Sequence, residues 1–157
     1  KSGYLLCLNN IARQMLLSNQ LDSAAYYIKI AKENPDAKLS QGLTVILQTE
    51  ALYKIQTGAL DEAESLLKKC WQVINENNIT VNASLGTMAP DYYLALARIK
   101  QNKIDEAIAL LISDIERLQN NRVDILRDYK LIADLYKKIG KNDKAAETNQ
   151  RQPVTDH

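Results

Sequence analysis

The sequence holds a single His, at position 157, and two Cys, at positions 7 and 70. Neither residue type can assemble a zinc site of clustered ligands or a Cys/His nucleophilic pair. Phe is absent, and five Gly and three Pro are fewer turn residues than a many-stranded β protein uses. Charge of one sign is also missing. Twenty Lys and Arg face nineteen Asp and Glu, a formal net charge of +1, so no excess drives binding to phosphate backbones or anionic membranes. Apolar runs fall short of the roughly 18 residues that a membrane-spanning helix needs. No Gly-rich phosphate loop, G-x-S-x-G elbow or H-E-x-x-H occurs, which argues against the corresponding enzymes. The reading is therefore non-enzymatic: no catalytic residue, metal ligand or cofactor is expected, and neither nucleic acid nor a membrane span.

What remains is a chain of 157 residues, 46% hydrophobic and 25% charged, rich in Ala, Leu, Ile, Lys, Gln and Glu. At about 150 residues a chain buries close to 70% of its unfolded surface, enough for a core without disulfide staples. Cys7 and Cys70 are accordingly expected as small buried thiols. The first residue is Lys1, with neither an initiator Met nor a signal-peptide pattern, so a processed product or a section of a longer chain is expected.

A repeat organises this composition. Ala51 to Ala63 reads ALYKIQTGALDEA and Ala95 to Ala107 reads ALARIKQNKIDEA, an offset of 44, and the match continues through Leu66 and Leu67 against Leu110 and Leu111. Ala133 to Ala145 carries Leu135, Tyr136, Gly140 and Asp143 in the same order, and Ala12 to Ala24 carries Met15, Leu21 and Asp22. Within each copy the apolar period is helical. Leu8, Ile11, Ala12 and Met15 share one helix face, as do Tyr129, Ile132, Ala133 and Tyr136. Short polar or Gly-containing turns follow at Ser18 to Gln20, Thr57 to Gly58, Gln101 to Lys103 and Gly140 to Asn142. Second helices follow the turns, with inward faces Ala24, Ile28 and Ala31, then Ala63, Leu67 and Cys70, then Ala107 and Leu111. Small residues belong there because two antiparallel helices joined by a tight turn must approach closely where they cross.

These residues resemble the tetratricopeptide repeat. The fourth copy matches the family pattern through Tyr129, Ile132, Ala133, Tyr136, Gly140 and Ala145. The first matches through Leu8, Ile11, Ala12, Met15, Ala24, Ile28 and Ala31, with Asn19 in place of the usual turn Gly. The middle copies depart at the large first-helix position, where Lys54 and Arg98 stand. Spacings of 39, 44 and 38 residues between Ala24, Ala63, Ala107 and Ala145 exceed the family's period of about 34. The resemblance implies an all-α fold, an α-solenoid of about four repeats over 4–36, 38–77, 83–120 and 121–152, whose first helices line a concave groove.

Carried over place by place, the family's groove positions fall on Asn9, Arg13 and Leu16, on Gln48 and Leu52, on Tyr92 and Leu96, and on Arg127, Lys130 and Asp134. Tyr92 is the expected anchor, and Arg13, Arg127 and Lys130 would favour a partner with acidic groups. Of the Lys, Asn and Arg set that clamps a chaperone's terminal carboxylate in some members, only Asn9 and Lys130 match, so that activity is not expected. The implied function is binding of a protein or peptide. Long-spaced repeats of this look also resemble the sensory or scaffolding portions of bacterial signalling proteins. The alternative is a regulatory domain that closes on a short signalling peptide and switches an attached output domain. The compartment, cytoplasmic or periplasmic, stays open.

Several further placements follow from spacing. The eight Tyr and Trp71 are expected in core or inter-repeat packing. Asp61 and Glu62, like Asp105 and Glu106, should sit in the first turn of a second helix, at the positive end of its dipole. Asn75 to Asn82 should form a loop, and Pro90 should open the next helix. The first helix is apolar almost all round, through Tyr4, Leu5, Leu6, Cys7, Leu8, Ile11, Leu16 and Leu17. It should be covered by an upstream repeat or by self-association. The last helix, with Asn149 and Gln152 where apolar residues would stand, should fray or act as a polar cap.

Overall fold

A computed structural model of the chain describes residues 2–81, 90–118 and 122–153. Among these residues there are eight α-helices, one short 3-10 turn and no strand. The helices form consecutive antiparallel pairs: α1 (Ser2–Leu17) with α2 (Leu21–Glu33), α3 (Ser40–Gln56) with α4 (Leu60–Glu76), α5 (Pro90–Lys100) with α6 (Ile104–Arg117), and α7 (Arg122–Lys138) with α8 (Asn142–Gln150). The 3-10 turn, Pro35–Lys38, leads from α2 into α3. The all-α array of helix-turn-helix repeats expected from the sequence is thus the architecture.

One turn, used four times, makes the pairs alike. Asn19, Gly58, Asn102 and Gly140 all take the left-handed conformation, with φ of 55°, 85°, 59° and 76°. The next residue's N–H donates back across the turn to the carbonyl of Met15, Lys54, Arg98 or Tyr136 at 2.8 to 2.9 Å. The left-handed residue itself donates to Leu16, Ile55, Ile99 or Lys137 at 3.0 to 3.2 Å. These paired bonds satisfy first-helix carbonyls that would otherwise lack partners. Gly adopts this conformation without strain, and Asn is the side chain that best tolerates it. Asn at two of the four turns therefore preserves the geometry that the usual Gly supplies.

Alanines set how closely each pair approaches. Ala12, Ala51, Ala95 and Ala133 occupy one place in the first helices, and Ala24, Ala63, Ala107 and Ala145 one place in the second, all at most 2% exposed. Behind the second set Ile28, Leu67 and Leu111 enter the core. Each fully buried Leu of this kind contributes about 1.5–3 kcal/mol. Lys54 and Arg98, which replace a large apolar residue, lie along the packing seam and discharge onto second-helix carboxylates. Lys54 Nζ meets Glu62 at 2.5 Å, and Arg98 grips Glu64 through both terminal nitrogens at 3.1 Å while its Nε meets Glu106 at 2.8 Å. Glu62 and Glu106 also sit in the first turns of α4 and α6 beside Asp61 and Asp105.

Successive first helices pack on one another, α1 on α3 and α3 on α5, while the second helices stand farther apart. Closer spacing on one side curves the array, so the first helices line its inner face. α7 is seated chiefly on α6 and reaches α5 through side chains.

Some expectations need correction. Cys7 is exposed and Cys70 alone is buried, because Cys7 lies on the stripe of α1 turned away from α2 and α3. Tyr4, Leu6 and Leu17 of the same helix are also exposed, so its apolar surface is only partly covered. Asn75 and Glu76 belong to α4; the loop starts at Asn77, with Asn78 left-handed at φ 50°. Asn82 and the repeat bounds at 83, 120 and 121 lie outside the described residues. Pro90 opens α5 and is buried. α8 turns Asn149 to solvent and ends the array with a polar face.

Candidate binding groove

The inner face divides into a closed half and an open half. Asn9, Gln48, Tyr92 and Lys130 occupy the same place in successive first helices, counted back from the left-handed turn residue. Asn9 and Gln48 are 1% and 3% exposed. Asn9 Oδ1 accepts from Thr49 Oγ1 at 2.5 Å, tying α1 to α3, and Gln48 Nε2 donates to the Thr44 carbonyl at 3.1 Å. Leu16 and Leu52 lie in the core beside them. These four expected groove residues are therefore interior: the close seating of α1 on α3 turns the would-be wall into a packing surface. Leu96 is half-buried against the same core, and Arg13 is half-buried with its charge acting on the Tyr93 hydroxyl.

The open half lies around α5 and α7. Tyr92 is half-buried and meets Tyr93 edge to face, with ring centroids 5.6 Å apart. The Arg127 guanidinium lies over the Tyr92 ring, its Cζ 3.7 Å from the centroid, a favourable cation–π arrangement. Lys130 and Asp134 are exposed one and two turns farther along α7. Burial pushes the Tyr92 hydroxyl pKa up, so it remains a neutral donor.

Arg127 is not a free cation. Its Nε and Nη2 reach Asp128 Oδ1 at 3.0 and 2.9 Å, Nη1 reaches Asp124 Oδ1 at 3.3 Å, and Nη2 reaches Asp114 Oδ2 at 3.4 Å. Asp114 and Asp128 have essentially no exposure. Burial, reinforced by a hydrogen bond and charge repulsion from Asp128, pushes the Asp114 carboxyl up to about 9. The guanidinium fills the space between the three carboxyls where a cation would sit, and no group of His, Cys, Asp and Glu among the described residues is arranged to hold a metal.

A second polar knot adjoins the first. Trp71 Nε1 donates to Asp91 Oδ1 at 3.1 Å, Arg117 Nε stands 3.6 Å from Asp91 Oδ2, and the Arg117 guanidinium lies 4.2 Å from the Trp71 ring centroid. Asp91 is 7% exposed, so this triad staples α4, α5 and α6 together.

The aspartates at the heart of these knots were missed in the sequence, although the repeat alignment contains the signal. Asp114 stands where the first two copies have Ala31 and Cys70. Asp128 stands where the second copy has Ile46, and Asp91 where the others have Leu8, Leu47 and Tyr129. Each is an acid at a place the repeat reserves for apolar or small residues.

An open depression of about 410 Å³ also lies between α2 and α3, bordered by Ile28, Lys32, Glu50, Tyr53 and Lys54. Lys32 is already paired with Glu50 at 2.8 Å, and Lys54 with Glu62. It is a seam between neighbouring repeats rather than a site, and the stacked Tyr92 and Arg127 mark the better candidate. Compared with known proteins, the chain matches no family model and no curated protein.

Proposed function

We propose that the chain is a tetratricopeptide-like module that binds a protein or peptide segment along the open half of its inner face. The observation that supports this reading is the half-buried Tyr92 under Arg127, bordered by Leu96, Lys130 and Asp134, beside a half of the same face that packing has closed. Tyr and Arg recur among residues that dominate interface energies, and Tyr offers large contact area for little lost side-chain freedom. Arg127 is already engaged by the carboxyl groups of three aspartates, which weakens the case for a strongly acidic partner. Lys130 and Asp134, exposed one turn apart on α7, fit a segment of mixed charge whose contribution fades as salt rises.

Photo-crosslinking residues installed at Lys130 and Leu96 of the full-length protein, with Lys29 and Lys69 as outer-face controls, test the proposal in the native cell. Crosslinks at Lys130 and Leu96 alone are expected. Crosslinks confined to Lys29 or Lys69 would move the site to the outer face.

A further inference from the structure

Three carboxyl groups, Asp114, Asp124 and Asp128, converge on one guanidinium, that of Arg127. Were all ionised, the three acids and Arg127 would together carry a net charge of −2, with Asp114 and Asp128 withdrawn from water. Two close carboxylates in such a place do not both ionise. The hydrogen-bond pattern points the same way. Asp114 Oδ2 and Asp128 Oδ1 face Arg127, while Asp114 Oδ1 and Asp128 Oδ2, one oxygen from each residue, are buried without a partner. The two side chains stand within hydrogen-bonding reach of each other, so one proton between them supplies a donor where neither carboxylate has one.

Arg127 favours the charged form of Asp114, whereas Asp128 and Asp91 oppose it, and from α1 Arg13 acts on Tyr93, which also feels Arg127 and Asp124. From α5 the carboxylate of Asp91 adds a further repulsion, and the Tyr92 ring faces Arg127. From α6 the only nearby cation described is Arg117, which is engaged by Asp91 and Trp71. From α7 itself come Asp124 and Arg127. We propose that Asp114 holds a proton in the folded protein and donates it to Asp128, and that this proton is a clasp fastening the fourth repeat, α7 and α8, onto α6 and the Tyr92 wall.

When the proton leaves to solvent base, two adjacent carboxylates repel across the α6 to α7 interface, and α7 with Arg127 swings from Tyr92. The direction with pH follows from linkage. An unfolded Asp titrates near about 3.9, whereas the folded Asp114 carboxyl is pushed up to about 9. The folded state therefore holds the extra proton between those values, and the attachment weakens as pH rises through that window. The clasp is a property of this chain's own residues and stands whether or not the groove takes a peptide.

Infrared spectroscopy at neutral pH provides the first test. The carbonyl stretch of a protonated, buried carboxyl is expected in the wild type and not in Asp114→Asn; a wild-type spectrum without it overturns the proposal. Amide hydrogen exchange, corrected for the intrinsic pH dependence, provides the second. Protection of α7 and α8 should fall with rising pH by up to about tenfold per unit, while protection of α1 to α4 holds steady. Asp114→Asn, which keeps the shape and supplies a permanent N–H donor, should remove that slope. An equal slope in wild type and variant overturns the clasp, and should the variant fail to fold, the wild-type spectrum still decides.

Discussion

Gly42 offers a test in which local propensity and tertiary packing demand opposite signs. The residue lies in the first turn of α3, and replacing it with Ala adds helix propensity worth up to about 1 kcal/mol. The added Cβ, however, would fall well inside van der Waals contact with the carbonyl oxygen of Asp36, 3.0 Å from its carbonyl carbon and 2.8 Å from Leu5 Cδ2. The Leu5 methyl can rotate away. The Asp36 carbonyl cannot, because it accepts from the Leu39 N–H at 3.2 Å while the Asp36 N–H is held by Asn34 Oδ1 at 2.9 Å. Relief requires moving the whole Pro35–Lys38 turn off α3, which also opens the cluster of Leu5, Leu8, Ala37 and Ile46. Overpacking of this kind costs about 1–3 kcal/mol. Because the clash is with fixed backbone, the cost falls at the upper end of that range, about 2–3 kcal/mol, and less the propensity gain a net loss of about 1–2 kcal/mol is expected for Gly42→Ala. Urea denaturation read by circular dichroism measures it, and a melting temperature lower by about 2–4 °C per kcal/mol should accompany it at this chain length. Gly3→Ala is the control, since nothing lies within 4 Å of its Cβ position. If Gly42→Ala proved as stable as the parent or more so, the close approach that seats α3 under the 3-10 turn would be refuted.

Two further outcomes follow from the turns and the thiols. Gly58 has open space around its Cβ position but φ of 85°, so Gly58→Ala should cost about 1–2 kcal/mol through backbone strain alone. Gly58→Asn should cost less, because Asn19 and Asn102 already serve the same turn; equal losses in chemical denaturation would contradict that equivalence. Cys7 is exposed, whereas Cys70 is buried, with its thiol pushed up to about 12 by that burial. One thiol per chain should therefore react with an aromatic disulfide reagent under native conditions and a second only on unfolding; prompt reaction of both would refute the placement of Cys70.

The repeat was legible because its determinants are local. A left-handed turn needs Gly or Asn at one position, a close helix crossing needs small residues at two, and helical periodicity marks the rest; Asn19, Gly58, Ala51 and Ala63 declare these requirements without reference to distant parts of the chain. Departures at Lys54 and Arg98 also left the pairing intact, since each cation finds a carboxylate on an adjoining second helix. The groove was only half legible. Asn9 and Gln48 look polar enough for a wall, yet whether a first-helix residue faces solvent depends on how near the next first helix lies, a distance that no single repeat encodes. The tertiary structure alone decided that α1 and α3 close on each other. It alone brought Asp114 on α6 to Asp128 on α7, because the interaction of two buried acids depends on a separation in space that their positions along the chain do not express.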